Sequence, residues 1–391
     1  MSGTDGSGTA DRPLRVLLVS HYYPPHLGGI ENVVHQEAVH LVAAGADVTV
    51  LTSGERGEVT DEEGVRVVRV AAWNGAERAG VPFPVLSPAV LPAALRWARW
   101  ADVVHLHDCL YLTSWTAGLA AALTGTPHLL TQHVALVQHP SAVVRGVQQA
   151  VYAVAGRALL RRAGHVLTLN ASVAAFVLRY GARPQRARHL PNGVDTALFR
   201  PATGPGERDR DRERFGLPAG RPLVLFAGRL VPKKGYDLLL AAHDPADGYD
   251  LVFAGDGDAR PLAGRPGVHH LGTLDPQSLA RAYRACDVFA LPSTAEGFPL
   301  TVQEAMASGL PVVTTDDPGY RPYDLDRSRV VLIEREAGAL REALTALAAD
   351  GPLRERMGRY SRAHATAAFG WPEHVGALLR YYRGEQNVEA R

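Results

Sequence analysis

Short apolar runs alternate regularly with longer stretches of helical pattern along this chain of 391 residues. The first series of runs lies near residues 16–20, 48–52, 65–70, 103–107, 128–132 and 166–169. A second series begins at residue 223 and continues near 251–254, 268–271, 288–291, 312–315 and 330–333. Strands that alternate with helices are typical of parallel sheets. The sequence therefore predicts an α/β protein of two doubly wound parallel sheets in tandem.

The length agrees with two domains, because domains average roughly 150 residues. Residues 1–12 are small and polar and are expected to be disordered. An N-terminal domain is predicted over 13–200 and a C-terminal domain over 220–365, followed by a terminal helical segment over 366–391. Residues 201–219 are interpreted as a linker, because their alternating charges are typical of a solvated face.

Charge and cysteine content exclude several classes of protein. The formal net charge is +1, too close to neutral for nucleic acid to be the expected partner. Cys109 and Cys286 are the only cysteines and fall in different predicted domains, so neither a disulfide nor a zinc framework is indicated. The sequence shows no secretory signal and no apolar run of about 18 residues. A cytoplasmic protein is the expectation.

Two glutamates, Glu296 and Glu304, lie eight positions apart around a predicted strand-to-helix turn. Gly297 and Pro299 shape the turn, and 300–308 has a helical pattern. Unpaired amides at a helix start suit a phosphate, which leaves Glu304 to accept hydrogen bonds from a vicinal diol such as a ribose. The alternative is ordinary helix capping plus a surface acid. This segment alone supports both interpretations equally.

A second loop carries cations where a sheet binds its ligands. It runs from Gly228 and Arg229 to Lys234, after an apolar strand over 222–227 and before a helix near residue 236. Ligands of open α/β sheets bind at the carboxyl ends of the strands. A guanidinium fork and a mobile ammonium together suit a diphosphate. The alternative, a solvated basic loop, is preferred for Lys233, whereas Arg229 and Lys234 are interpreted as functional.

A glycine pair, Gly28 and Gly29, follows the first predicted strand and precedes a helix. Paired glycines let a backbone approach a bulky ligand closely. The pair lacks the third spaced glycine and the following acid of a dinucleotide site, so no nicotinamide or flavin cofactor is indicated.

Together with Pro191-Asn-Gly-Val-Asp195 and Gly255-Asp-Gly257, these motifs occur in an order that resembles the retaining glycosyltransferases of family 4. The resemblance covers residues 14–382. It implies the GT-B architecture, in which two Rossmann-like domains face a central cleft. It also implies that the helix in 366–391 crosses back onto the N-terminal, acceptor-side domain.

The resemblance implies transfer of a sugar, with retention, from a UDP-, GDP- or ADP-linked donor to a hydroxyl of a glycan, lipid-linked sugar or small molecule. No cofactor is expected, because the nucleotide sugar is a substrate. No metal is expected either, because the Asp-x-Asp spacing of Asp209 and Asp211 falls in the charged linker. Arg229, Lys234 and the amides of Leu300 and Thr301 would bind phosphate, Glu304 the ribose and Glu296 the transferred sugar. His133 matches a family position near the reacting carbon, and the catalytic set is His133, Arg229, Lys234 and Glu296. The remaining donor-binding residues are Gly28, Gly29, Gly228, Leu274, Gly297, Phe298 and Pro299.

Two other functions stay open on the same fold: a nucleotide-sugar epimerase or hydrolase, and a non-catalytic binding module. The chain departs from the family pattern at 316–323, where Tyr320 and Tyr323 either pack the domain or touch a ligand. His105 and His107 are expected to face opposite sides of their sheet and so not to form a metal pair.

Residues 143–162 form a long helical pattern with four arginines and no acid. Such a segment can lie on an anionic bilayer. The preferred interpretation is an amphipathic domain helix with its arginines in solvent. Peripheral contact with the inner face of the membrane remains the alternative.

Overall fold

The computed structural model describes residues 12–26, 29–73, 85–136, 142–294 and 297–385. The chain divides into two compact units. The first unit comprises Met1–Leu167, Phe176–Arg188 and Leu378–Arg391, and the second comprises Thr168–Ala175 and His189–Ala377. No helix within the described residues combines the length and apolar character needed to cross a bilayer.

The first half of the chain forms a nine-stranded sheet. Its strands are β1 (Arg15–Val19), β2 (Asp47–Gly54), β3 (Glu58–Glu62), β4 (Val65–Trp73), β5 (Val85–Leu86), β6 (Val103–His107), β7 (His128–Gln132), β8 (Val166–Thr168) and β9 (Ala187–His189). The spatial order is β3-β4-β2-β1-β6-β7-β8-β9, with β5 paired to β4. Strands β4, β2, β1, β6 and β7 run parallel, whereas β3 and β5 are antiparallel to β4.

Helices connect these strands. They are α1 (Gly29–Ala43), α2 (Val90–Trp100), α3 (Leu112–Thr124), α4 (Ala142–Val151), α5 (Arg157–Arg162) and α6 (Ala171–Arg179), and a π-helical turn, Tyr152–Gly156, joins α4 to α5. Every residue of β6 and β7 is buried. Central parallel strands are covered on both faces, so the polar side chains of β6 and β7 are buried as well and need hydrogen-bond partners. The edge strand β3 carries Glu58, Asp61 and Glu62, and charge at an edge discourages pairing with another chain.

The second unit contains a six-stranded, wholly parallel sheet. Its strands are β10 (Leu223–Ala227), β11 (Asp250–Ala254), β12 (Val268–Gly272), β13 (Val288–Leu291), β14 (Val312–Thr315) and β15 (Val331–Ile333), in the order β12-β11-β10-β13-β14-β15. The order reverses between β10 and β13, which is where open α/β sheets bind ligands.

The helices of the second half complete the fold. They are α7 (Pro205–Arg214), α8 (Tyr236–Ala242), α9 (Pro276–Ala285), α10 (Leu300–Ala307), α11 (Ala337–Ala349), α12 (Gly351–Ala368) and α13 (Trp371–Tyr382). An apolar core of buried residues, drawn from β10, β11, β13, β14, β15 and the helices that cover them, holds this unit together, and the half-buried Val268 and Leu271 of β12 pack against it.

The linker interpretation of 201–219 is wrong. Helix α7 lies within this segment, which belongs to the second unit. Asp211 and Arg212 are buried, and their partners are Arg284 and Asp287. Paired charges can be buried, so alternating charge alone does not distinguish a solvated helix from one that docks through ion pairs.

The unit boundaries also differ from those predicted at residues 200 and 365. The second unit starts at His189 and includes Thr168–Ala175, and only Leu378–Arg391 of the chain end groups with the first unit. The start of α13 stays with the second unit because Val194 and Gly370 form a bridge. A Cβ added at Gly193 would lie 2.4 Å from the ring of Trp371, so the tryptophan packs directly on this backbone.

Candidate functional site

The two predicted donor loops of the second unit are neighbours in the structure. Strands β10 and β13 pair directly, so the loops that follow them leave the same end of the sheet. The amide of Thr294 donates to the carbonyl of Lys233 over 2.9 Å. Arg335 donates to the carbonyl of Pro232 over 3.0 Å and to that of Pro292 over 3.3 Å. These bonds join the loop that carries Arg229 and Lys234 to the loop that leads to Glu296.

Glycines allow this close approach of loops. Gly235 has φ +79°, and a Cβ there would lie 2.2 Å from the carbonyl oxygen of Pro292. Gly255 has φ +145°, and its Cβ would lie 2.0 Å from the carbonyl oxygen of Gly228. Any side chain at either position would both strain the backbone and collide with a neighbouring carbonyl. The glycines of these motifs are therefore needed for the shape of the strand ends.

The cations of the first loop differ in exposure. Arg229 is exposed, and its guanidinium bonds to none of the residues the structure describes. Lys234 is half-buried and ends a short 3₁₀ turn, Pro232–Lys234. Lys233 is exposed. A guanidinium that is not committed to a protein acceptor can form a bidentate pair with phosphate.

The start of α10 presents backbone donors beside the first loop. Pro299 is its N-cap and supplies no side-chain cap. The amides of Val302 and Gln303 both donate to the Pro299 carbonyl, at 3.0 and 3.3 Å. Within the described residues, the amides of Leu300 and Thr301 have no acceptor. Two donors at the positive end of a helix dipole suit an anion.

Glu304 lies in the second turn of α10, half-buried, and accepts a 2.9 Å hydrogen bond from the hydroxyl of Tyr283. Burial raises the pKa of the Glu304 carboxyl to about 7, although the bond from Tyr283 acts in the opposite direction. The Tyr283 hydroxyl also lies 3.0 Å from the carbonyl of Thr301 and has only one proton to donate. Tyr283, on α9, was missed because no motif marks it.

Gly297 and Phe298 are held by packing inside the second unit. A Cβ at Gly297 would lie 1.8 Å from Nδ2 of Asn170, so this glycine makes room for a side chain that sequence analysis missed. The ring of Phe298 is buried and stacks on Tyr323 at 4.0 Å. Tyr320 and Tyr323 are buried too, and the Tyr323 hydroxyl donates to the carbonyl of Leu169. Both tyrosines thus pack the domain, and the ring of Phe298 is a core group rather than a ligand contact.

The other four predicted donor residues are Gly28, Gly29, Leu274 and Glu296. Gly28 and Glu296 lie outside the described residues. Gly29 begins α1, with open space where its Cβ would be. Leu274 is half-buried and packs against the core of the second unit, close to the end of β12.

In the first unit, His133 follows β7 and is buried at 7% exposure. Its Nε2 lies 3.0 Å from Nδ1 of His107, the last residue of β6. Nε2 of His107 in turn lies 3.3 Å from a carboxylate oxygen of Glu37 on α1. Glu37 and His107 are essentially without solvent contact, at 1% and 0% exposure. Sequence analysis found His133 but not this supporting pair.

The expectation that His105 and His107 face opposite sides of the sheet is wrong. They are two residues apart on a strand and therefore share a face, with ring centroids 4.3 Å apart. Donor atoms of Glu37, His105 and His107 lie within 4.8 Å of one another, as a metal site would require. However, His105 already bonds Tyr382 and Thr131 through its two ring nitrogens, each at 2.7 Å. This donor set fits a hydrogen-bonded cluster better than a metal site.

Asp108 is a further buried polar residue at the ends of β6 and β7. It has φ +67°, an uncommon conformation for a residue with a side chain, and is fully buried. Burial raises the pKa of its carboxyl to about 6, against hydrogen bonds from Leu110, Gln132 and Val134 that lower it. Gln132 also accepts from the Cys109 amide at 3.1 Å. Asp108 and Gln132 therefore join the loop after β6 to the loop after β7, through the two residues that flank His133.

The segment predicted as a candidate membrane contact has a mixed surface. Val147 and Val154 are 58% and 74% exposed, and Arg157, Arg161 and Arg162 are exposed as well. Helix α3 also turns leucines to solvent, with Leu112, Leu119 and Leu123 at 40%, 50% and 66% exposure.

Comparison with known families places this geometry in context. The model described as Glycosyltransferase Family 4 matches residues 27–198, and that described as Glycosyl transferases group 1 matches residues 207–364. A D-inositol 3-phosphate glycosyltransferase of Xylanimonas cellulosilytica is 34% identical over 91% of this chain and 91% of its own length. The protein of that name from Mycobacterium tuberculosis is 30% identical, over 97% of this chain and 86% of its own length.

Solved structures agree in fold. Sucrose-phosphate synthase from Thermosynechococcus elongatus has a TM-score of 0.72 at 22% identity, with 95% of this chain and 98% of that one covered. Anabaena HepE in complex with UDP-glucose has a TM-score of 0.72 at 18% identity, covering 95% and 99%.

Proposed function

Because this chain belongs to glycosyltransferase family 4 and has the GT-B fold, we propose that it transfers a sugar from a nucleoside diphosphate donor to an acceptor hydroxyl with retention of configuration. One observation carries the proposal. The adjoining loops after β10 and β13 present Arg229, Lys234 and the amides of Leu300 and Thr301 at one end of a parallel sheet. Two cationic side chains and two aligned amides suit a diphosphate.

The chemistry requires stabilisation of the leaving group. As the glycosidic bond to the diphosphate breaks, negative charge grows on the β-phosphate, and donors already in place lower the barrier without reorganising. We assign this role to Arg229, Lys234 and the α10 amides. The β-phosphate oxygen would accept the proton of the incoming hydroxyl, so that no enzymic nucleophile is needed.

The other site residues orient the donor. Glu304 would accept hydrogen bonds from the ribose hydroxyls, which requires its ionised form. We propose that Glu296 and His133 contact the transferred sugar. Gly28, Gly29, Gly228, Gly297, Pro299 and Leu274 would contribute backbone or apolar contacts to the donor. Phe298 would contribute only its backbone, because its ring is in the core.

Similar proteins suggest substrates to test. HepE was solved with UDP-glucose, and Arabidopsis starch synthase IV with ADP. We propose a UDP-, ADP- or GDP-linked donor, with UDP-glucose as the first probe. The relatives named D-inositol 3-phosphate glycosyltransferase make D-inositol 3-phosphate the first acceptor to test.

The deciding experiment measures release of UDP from UDP-glucose with and without that acceptor, then the anomeric configuration of the product by NMR. Acceptor-dependent release with retained configuration supports the proposal. An inverted product contradicts it. Acceptor-independent interconversion or hydrolysis of the nucleotide sugar favours the epimerase or hydrolase. If UDP, ADP and GDP raise the melting temperature but no donor is turned over, the chain is a binding module.

We also propose that the reaction needs no metal ion, because cations of the protein itself are placed for the diphosphate. Activity after exhaustive chelation with EDTA should equal that of the untreated enzyme. A loss of activity that Mg²⁺ or Mn²⁺ restores would overturn this part of the proposal.

Peripheral membrane contact is a separate proposal for a cytoplasmic enzyme. The exposed valines and arginines of 143–162 and the exposed leucines of α3 combine apolar area with positive charge, which anionic bilayers attract. The protein should sediment with vesicles that contain phosphatidylglycerol and not with pure phosphatidylcholine vesicles. The double variant Arg157→Glu/Arg161→Glu should lose this binding, whereas equal sedimentation of variant and wild type would refute it.

A further inference from the structure

A line of three buried side chains connects helix α1 to the candidate catalytic histidine inside the first unit. Glu37, His107 and His133 come from α1, the end of β6 and the residue after β7. The successive distances are 3.3 Å, from the Glu37 carboxylate to Nε2 of His107, and 3.0 Å, from Nδ1 of His107 to Nε2 of His133. The rings of the two histidines lie nearly parallel, at an interplanar angle of 23°. This alignment restricts where protons can reside.

The position of each proton follows from the chemistry of imidazole. A neutral imidazole carries its proton on one nitrogen and a lone pair on the other. Nε2 of His107 lies 3.3 Å from the Glu37 carboxylate, an ion-pair contact rather than an aligned hydrogen bond. A carboxylate beside a ring nitrogen favours the proton on that nitrogen. Nδ1 of His107 then carries a lone pair, and the bond of 3.0 Å requires a proton on Nε2 of His133.

We propose that Glu37 and His107 are positioning residues that hold His133 as its Nε2–H tautomer, so that its Nδ1 is a hydrogen-bond acceptor for a hydroxyl of the transferred sugar. The role of Nδ1 rests on the proposed function, whereas the tautomer itself does not. Neither positioning residue needs to touch the substrate. Their effect is to fix which nitrogen of His133 accepts and to restrain rotation of its ring.

The same cluster supplies matched controls. His105 lies 4.0 Å from the Glu37 carboxylate, but its bonds go to Tyr382 and Thr131 rather than to His133. Thr131→Val and Tyr382→Phe each remove one buried hydroxyl from the cluster. Neither hydroxyl bonds to His107 or His133, although Tyr382 interacts electrostatically with Glu37, which makes Thr131→Val the stricter control. A purely structural role for the cluster predicts similar losses from these variants and from Glu37→Gln.

The first measurement uses ¹⁵N-histidine-labelled wild-type protein without ligand, with His133→Gln for resonance assignment. The ring nitrogen shifts of His133 should show a protonated Nε2 and an unprotonated Nδ1. Glu37→Gln should alter this pattern, because a neutral amide no longer favours a proton on Nε2 of His107, and a proton on Nδ1 instead would reverse the bond to His133. A wild-type His133 protonated on Nδ1 would overturn the proposal, whatever the substrate of the enzyme.

The second measurement is a double-mutant cycle on release of UDP from UDP-glucose. Glu37→Gln should lower kcat about tenfold with KM little changed. Losses of this size are typical when a residue that orients a metal-binding histidine is removed, and the same size is expected here for a residue that orients His133. The Thr131→Val and Tyr382→Phe controls should stay within about twofold of wild type. In a His133→Gln background, Glu37→Gln should have no further effect, because interaction terms appear only between coupled residues.

Additive losses from Glu37→Gln and His133→Gln would overturn the positioning role, and so would controls as impaired as Glu37→Gln. If the wild type releases no UDP, the proposed function fails for this donor. The tautomer measurement still decides the first part of the inference in that case.

Discussion

Each unit contains an aspartate device, which is an aspartate that precedes one strand and accepts the first backbone amide of the neighbouring strand. The two copies of this device differ in burial, and burial should change how much each contributes to stability. In the first unit, Asp102 precedes β6 and its carboxylate accepts the amide of Arg15, the first residue of β1. In the second unit, Asp287 precedes β13 and its carboxylate accepts the amide of Leu223, the first residue of β10. An arginine completes each copy: Arg12 at 58% side-chain exposure and Arg212 at 7%.

The two units differ again at their strand ends. In the second unit, site residues are held by local backbone geometry. Glycines let neighbouring carbonyls approach closely, and backbone amides are exposed as donors at the start of α10. In the first unit, His133 is held by side chains from distant segments, including Glu37 and His107. Two sheets of similar topology therefore position their site residues in different ways, one through local backbone geometry and the other through side chains from distant segments.

The largest expected effect is on the buried copy of the aspartate device. Arg212 donates to Asp287 over 2.6 Å and to the carbonyl of Ala285 over 2.8 Å. Arg212→Met should reduce the free energy of unfolding by about 3–5 kcal/mol, because the buried Asp287 carboxylate keeps only the more exposed Arg208 as its charged partner and backbone carbonyls lose the Arg212 donors. Urea denaturation followed by circular dichroism measures this. A loss under about 1 kcal/mol would mean that burial does not distinguish the two copies.

Next in size is the loss of cations at the donor loop. Arg229→Ala and Lys234→Ala should each lower kcat/KM for UDP-glucose by about 10²–10³, as expected when a preorganised donor to the leaving group is removed. Lys233→Ala is the matched control and should stay within a few fold of wild type. Equal losses from Lys233 and Lys234 variants would indicate a general effect of positive charge rather than a positioned contact.

Backbone geometry can be tested with two glycines. Gly235→Ala should cost about 1–3 kcal/mol of unfolding free energy, because the backbone is left-handed there and the new Cβ meets the carbonyl of Pro292. Gly29→Ala places its Cβ in open space and should leave stability unchanged within about 0.5 kcal/mol. If the two variants unfold at the same urea concentration, the second unit does not depend on its glycines as argued.

The pKa of Glu304 predicts a pH dependence of nucleotide binding. The carboxyl has a pKa of about 7 in the folded protein, so it is mostly ionised at pH 8 and mostly protonated at pH 6. If the ribose requires the carboxylate, the Kd for UDP should rise about tenfold from pH 8 to pH 6. Calorimetric titration measures this. Glu304→Gln removes the ionisable group and should flatten the curve, and an equally steep curve would assign the titration to another residue.

The smallest effect is expected at the exposed copy of the device. Arg12 forms two hydrogen bonds to Asp102, at 2.7 and 2.6 Å, but both side chains contact solvent. Arg12→Ala should cost about 0.2–1 kcal/mol, because water replaces the lost partner. Salt should reduce the difference further. A loss of unfolding free energy close to that of Arg212→Met in the same urea assay would contradict the view that burial distinguishes the two copies.

Motifs near strand ends were predictable because their chemistry is local in sequence. Gly228, Arg229 and Lys234 share one loop, and Leu300, Thr301 and Glu304 share one helix start. What escaped prediction were partners brought in from elsewhere: Tyr283 beside Glu304, Asn170 beside Gly297, and Glu37 behind His133. No spacing rule in the sequence relates such pairs, because they meet only through packing.

The alternation of strands and helices and the order of the glycine and charge motifs follow from the amino-acid sequence, because each depends on a few neighbouring residues. Only the folded chain shows that α7 is docked rather than a linker, that His105 and His107 join one buried cluster, and that Phe298 belongs to the core. Burial makes the difference. Whether a charge is solvated or paired, and whether a ring meets a ligand or a neighbour, depends on the residues that the fold places around it.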